Sequence, residues 1–148
     1  MARLALAALL ALAACSGDHA ELGRAVREYD DALVRAYSSS DPSGMPRVAA
    51  SKEADRVRIL VDIKSAAGLV LESRLESLEV TRARATGDTA TVETRERWRY
   101  HDRRLQPGAP PGPGIASLMS MRYSLVRERG RWKVAQVSTI SSAPDPTR

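Results

Sequence analysis

The residue types that start most side-chain chemistry are scarce here. Cysteine occurs once, at Cys15, and histidine twice, at His19 and His101, among 148 residues. A lone thiol closes no disulfide, and two histidines so far apart make no metal cluster, so neither a metal nor a cofactor is expected. His101 and Asp102 are neighbours on a strand, which turns their side chains to opposite faces and excludes a dyad; both histidines are expected at the surface. No Gly-x-Ser-x-Gly elbow occurs, and no glycine-rich phosphate loop follows a strand. What remains for acid–base work is Glu96. It falls in phase with Val92, Trp98 and Tyr100, and so should face the interior, where an unpaired carboxylate is costly. Lined by Trp98, Tyr100 and Tyr29, a desolvated Glu96 could act as a general base. Paired with an inward arginine, or wetted at the mouth of a cavity, it would be structural.

Positive charge is the second pattern. Arg95, Arg97 and Arg99 share the outward face of the same strand, with Arg103 and Arg104 beyond them. Glu72, Glu76, Glu79 and Glu93 are within reach as cross-strand partners, which would make the stripe a solvated sheet face; left unpaired, it would suit an anionic surface. The basic residues are 20 Arg and 3 Lys against 18 acidic residues, a net charge of +5. Such an excess raises the question of nucleic acid.

The N-terminus answers it. Arg3 precedes residues 4–12, which are nothing but Leu and Ala and too short to span a bilayer. The run closes on Leu12-Ala13-Ala14-Cys15, which resembles a bacterial lipoprotein signal. The resemblance implies removal of residues 1–14, a diacylglyceryl group on the Cys15 thiol and a further acyl chain, such as palmitate, on its new amino end. Several chains make a durable anchor, each buried methylene contributing about 0.8 kcal/mol. The location implied is the cell envelope, on the extracytoplasmic side of a membrane, where no nucleic acid is met. Anionic partners are then lipid headgroups, cell-wall polymers or acidic proteins. Residues 16–18 reach about 10 Å at most, so the domain must lie against the headgroups.

The 134 residues left after processing suffice for one core. Residues 15–19 read as a tether and 20–141 as the domain, with 142–148 a disordered tail. Asp18 and Glu21 have capping-box spacing ahead of Leu22, Ala25, Val26, Tyr29, Leu33, Ala36 and Tyr37, a helical period. Asp41-Pro42 starts a short helical turn. Ser51 should cap a second long helix carrying Ala54, Val57, Leu60, Val61 and Ile63, ended by Gly68. From Leu69 the period becomes two, and the phase slip between Leu75 and Leu78 predicts a bulge. Thr86-Gly87-Asp88 turns the chain into a strand with Ala90, Val92, Thr94, Glu96, Trp98 and Tyr100 on one face. Residues 107–114 hold four Pro and three Gly and can only be a loop. Met119, Met121, Tyr123 and Leu125 mark a third strand, and Arg129-Gly130 turns it into a fourth with Trp132, Val134, Ala135 and Val137.

Helices first and antiparallel strands second is an α+β order: two long N-terminal helices and a short one packed in a curved four-stranded sheet. The order, together with the hairpin of residues 122–134 (Tyr-x-Leu, charged turn, Gly-x-Trp-x-Val), resembles the nuclear transport factor 2-like superfamily of cone-shaped, cystatin-like domains. That superfamily includes isomerases, dehydratases, cyclases, transport adaptors and secretion subunits, so the resemblance implies a fold and leaves function to the site. Three readings follow. The leading one is a non-enzymatic, membrane-anchored adaptor or binding domain holding an envelope protein or cell-wall polymer, which a filled cone would suit; the other two are alternatives. An open apolar cone lined by Tyr29, Trp98, Tyr100, Met121 and Trp132 would suit a carrier of small hydrophobic ligands. A cavity with Glu96 at its floor would suit a cofactor-free lyase or isomerase.

Overall fold

The first helix, α1 (Ala5–Ser39), buries a stripe of Leu22, Val26, Tyr29, Ala32 and Ala36, spaced three or four residues apart. The structure, a computed structural model, describes residues 5–146, with side chains from His19 onward. Arg3, the Cys15 side chain and residues 147–148 lie outside the described residues. The helix runs unbroken through Asp18, so Asp18 is not an N-cap in the unprocessed chain, contrary to the capping-box expectation. Leu and Ala before it are strong helix formers and simply extend the same helix.

The helix stops where Ser40 takes a left-handed φ of 55°. Asp41 Oδ1 then accepts the Ser43 backbone N–H at 2.9 Å and starts a short 3-10 segment, Pro42–Arg47, which buries Met45. The second helix, α2 (Ser51–Ala66), has Ala50 rather than Ser51 at its N-cap and no side-chain cap. Its buried face is Glu53, Ala54, Val57 and Val61. Leu60 and Ile63 were expected inside but are 37% and 60% exposed. Ile63 follows Val57 by six residues, which puts it about 120° round the helix from the core stripe.

Gly68, with φ of 69°, turns the chain into the sheet. Four antiparallel strands lie in the order of the chain: β1 (Leu69–Thr86), β2 (Thr89–Arg104), β3 (Ile115–Glu128) and β4 (Arg131–Pro144). Register breaks between Leu75 and Ser77 and between Val80 and Arg82 bend β1, the first at the place the phase slip predicted. The curved sheet closes over α1, whose Gly23 lies so near the sheet that a Cβ would sit 3.3 Å from Val80 Cγ2. Alternation along β2 is clean: Ala90, Val92, Thr94, Glu96 and Trp98 are buried, and their neighbours face out.

The tail is a correction. Ser142 to Pro144 complete β4 against β3, and the Asp145 N–H donates to Ala116 carbonyl at 3.0 Å. Asp145 is buried beside Arg97 Nε at 3.1 Å, so the domain extends at least to residue 145 rather than ending at 141. An ion pair to a neighbouring strand orders a segment whose composition alone suggested disorder.

Candidate functional site

An open cleft of ≈ 270 Å³ lies between α1, α2 and the concave face of the sheet. Leu33, Leu71, Met119, Met121 and Val137 form apolar walls, and Trp98, Tyr100 and Tyr37 line it as well. Four of the five pocket residues expected from sequence, Tyr29, Trp98, Tyr100 and Met121, line this cleft. The fifth, Trp132, does not. It borders a separate groove with Glu21, Arg24 and Arg131, under the Arg127 guanidinium at 4.5 Å.

Glu96 lies at the floor, 1% exposed, where alternation along β2 placed it. No arginine meets it. Its Oε1 accepts from the Thr94 hydroxyl at 2.5 Å and the Tyr123 hydroxyl at 2.7 Å, and its Oε2 accepts the Trp98 indole N–H at 2.6 Å. The Tyr123 oxygen is also 3.1 Å from Oδ1 of Asp30, a buried carboxyl on α1 that lines the same cleft. A phenol has one proton, and here it faces two carboxyl groups. The shorter contact takes it to Glu96, and the Asp30 contact is then satisfied when Asp30 keeps its own proton. Burial, reinforced by the nearby Glu96, pushes the Asp30 carboxyl well above the usual carboxylate range, while the Tyr123 contact pulls it partly back. Burial, followed by the two carboxyls, likewise raises Tyr123, so its hydroxyl stays a donor near neutral pH.

A second polar cluster adjoins the first. Tyr29 packs edge-on against Tyr123, ring centroids 6.1 Å apart, and donates to buried Glu53 of α2. Arg56 clamps Glu53 with Nη2 at 2.6 Å and Nε at 2.9 Å, and reaches the cleft rim. Burial is the main cause that raises the Tyr29 hydroxyl, helped by its bond to Glu53.

Asp30, Tyr123, Glu53 and Arg56 went unassigned as site residues in the sequence, although two carried a signal. Asp30 follows Val26 by four and Glu53 precedes Val57 by four, so each is a carboxylate on an otherwise apolar stripe. The arginine stripe is largely neutralised: Arg95 pairs with Glu79 at 3.7 Å, Arg97 with Asp145, Arg99 with Glu76 at 2.5 Å, and Arg103 with Glu72. Arg104 has no such partner among the described residues. His19 is exposed, while His101 pairs with Glu72 at 3.1 Å and Asp102 with Lys64 at 2.6 Å, on opposite faces as expected. No metal-ligating cluster occurs among the described residues.

Solved structures share this architecture. The intermembrane-space region of the chloroplast protein ARC6 is similar with a TM-score of 0.73, over 81% of this chain and 94% of that one, at 17% identity. A putative dehydratase of the NTF2-like family from Streptomyces avermitilis is similar with a TM-score of 0.54, over 88% and 98%, at 16% identity. An NTF2-like protein with a cystatin-like fold from Novosphingobium aromaticivorans gives 0.49 over 94% and 90%, at 19% identity. No family model and no curated protein matches the sequence. The chain has the NTF2-like cone fold, α+β, with helices packed in a four-stranded antiparallel sheet. At these identities the likeness is one of fold.

Proposed function

We propose that this is a cell-envelope lipoprotein, anchored through Cys15, whose cone binds a small apolar molecule bearing one polar group and moves a proton on it without a cofactor. The observation that carries the reading is the open apolar cleft ending on Asp30, Tyr123 and Glu96. A filled cone would have favoured the adaptor; this one leaves room for a ligand. An isolated polar floor in an apolar cleft orients the polar end of a ligand downward. Asp30, whose protonated form burial favours, is then a hydrogen-bond donor and general acid toward a carbonyl or hydroxyl oxygen. The Glu96–Tyr123 pair accepts the proton leaving carbon, so an isomerisation conserves protons and a dehydration releases water.

Methyl-labelled methionine tests it. Titration with cyclohexenone should shift the Met119 and Met121 methyl signals and leave Met45, buried in the 3-10 segment, unmoved. Exchange of the α-protons of cyclohexanone into deuterated water should quicken with the protein and fall to the background rate in Asp30→Asn and Tyr123→Phe. Binding without exchange would leave a carrier. Absence of both would overturn the reading.

A further inference from the structure

The end of the domain nearest Cys15 carries basic residues without carboxylate partners. Residues 15–21 are helical in α1, which places Glu21 about 9 Å along the axis from the acylation site. Arg127 of the β3–β4 hairpin reaches Glu21 at 3.9 Å, so the hairpin turn sits at this same end. Between α1, the 3-10 segment and the turn runs a groove of ≈ 420 Å³ lined by Arg24, Arg47, Arg131 and Trp132. Arg129 adjoins it, held with φ of 50° at the turn, a left-handed conformation that a non-glycine residue adopts only against steric strain. Arg24, Arg47, Arg129 and Arg131 are all exposed, and none lies within ion-pair distance of a carboxylate among the described residues. The acids lining the grooves are Glu21, paired with Arg127, Glu128, paired with Lys133 at 3.0 Å, and Glu28. Among the residues lining the two grooves, cations therefore outnumber carboxylates five to three.

The cone cleft lies further along α1. Tyr29, Asp30, Leu33 and Tyr37 line it, whereas Glu21, Arg24 and Glu28 line the basic groove, and nine helical residues from Arg24 to Leu33 span about 14 Å. That exceeds the screening length of about 8 Å at physiological salt, so the basic end meets a charged surface without help from the cleft.

From this geometry we infer that Arg24, Arg47, Arg129 and Arg131 dock on the phosphates of anionic phospholipids in the leaflet that holds the Cys15 anchor, which turns the cone mouth away from the membrane. The inference rests on the anchor reading above. It differs from the sequence expectation, which offered the Arg95 to Arg104 stripe; carboxylates neutralise most of that stripe, and the free cations are elsewhere. Each arginine placed against an anionic leaflet raises residence there by about fivefold.

The test uses the acylated full-domain protein, methyl-labelled at methionine, in nanodiscs carrying a headgroup spin-label lipid. Met45 lies two residues from Arg47; Met119 and Met121 line the distant cleft. In discs containing phosphatidylglycerol, Met45 should broaden and the other two should not. Changing the four arginines to Gln, or the lipid to phosphatidylcholine, should abolish the contrast. Equal broadening of Met45 in both lipids, or stronger broadening of Met119 and Met121, overturns the inference. The mass of the Cys15 peptide reads the anchor separately. If no acyl group is present there, the same pattern from the unacylated chain added to anionic discs upholds the basic end, and its absence overturns it.

Discussion

At the floor of the cone one phenol proton serves two carboxyl groups, and that shortage sets how the domain responds to pH. Asp30 is raised in the folded state above its unfolded value near 3.9. Its contribution to stability is therefore fully present below about pH 4 and is lost as pH rises through the folded pKa. Asp30→Asn removes that loss, so its stability relative to wild type should improve from pH 4 to 8; melting curves across the range that stay parallel would mean Asp30 is not held neutral. Tyr123→Phe leaves Asp30 and Glu96 facing each other without the shared hydroxyl, and should cost about 1–3 kcal/mol in denaturant titration. Glu96 was legible because a strand's period of two fixes which face a residue takes. Asp30 was less so: its phase on α1 was readable, but its partner on β3, 93 residues away, was not. Trp132 was read onto the wrong cavity for a related reason. It does face inward, but Trp132 and the cleft residues open onto different cavities, and alternation cannot say which a residue will line.

Elements of this fold are fixed by a few close approaches. Trp132 belongs to the hydrophobic core, with Arg127 over its ring. Trp132→Ala should cost about 3–5 kcal/mol, and a loss below 1 kcal/mol in chemical denaturation would remove it from the core. The loop of residues 107–114 is tied back to β2 where the Gly112 N–H donates to the Asp102 carbonyl at 2.8 Å. A Cβ at Gly112 would lie 2.9 Å from that same oxygen, and a backbone carbonyl in a paired strand cannot yield. Gly112→Ala should therefore cost about 1–3 kcal/mol and free the loop, seen as faster amide exchange at residue 112. The bulge in β1 and the Arg129-Gly130 turn were legible because both are local. Exposure of Leu60 and Ile63 was not, since α2 has apolar residues on more than one face and only packing selects between them.

For the whole molecule, helices preceding hairpin strands determined the layers, because a curved antiparallel sheet with one apolar face must close on a helix. In the proposed reading, location rests on Cys15. No helix among the described residues is long and apolar enough to cross a membrane. Acyl chains contribute about 0.8 kcal/mol per buried methylene, against about 1 kcal/mol for each basic residue on an anionic leaflet, so lipidation outweighs four arginines several-fold. Cys15→Ser should abolish acyl labelling and move the protein from the membrane fraction to a soluble or unprocessed form. Raising salt should strip residual bound variant while leaving wild type in place, because salt screens charge and not burial. Acyl labelling that survives the substitution would refute the anchor, and wild type released by salt alone would leave the arginines as the attachment.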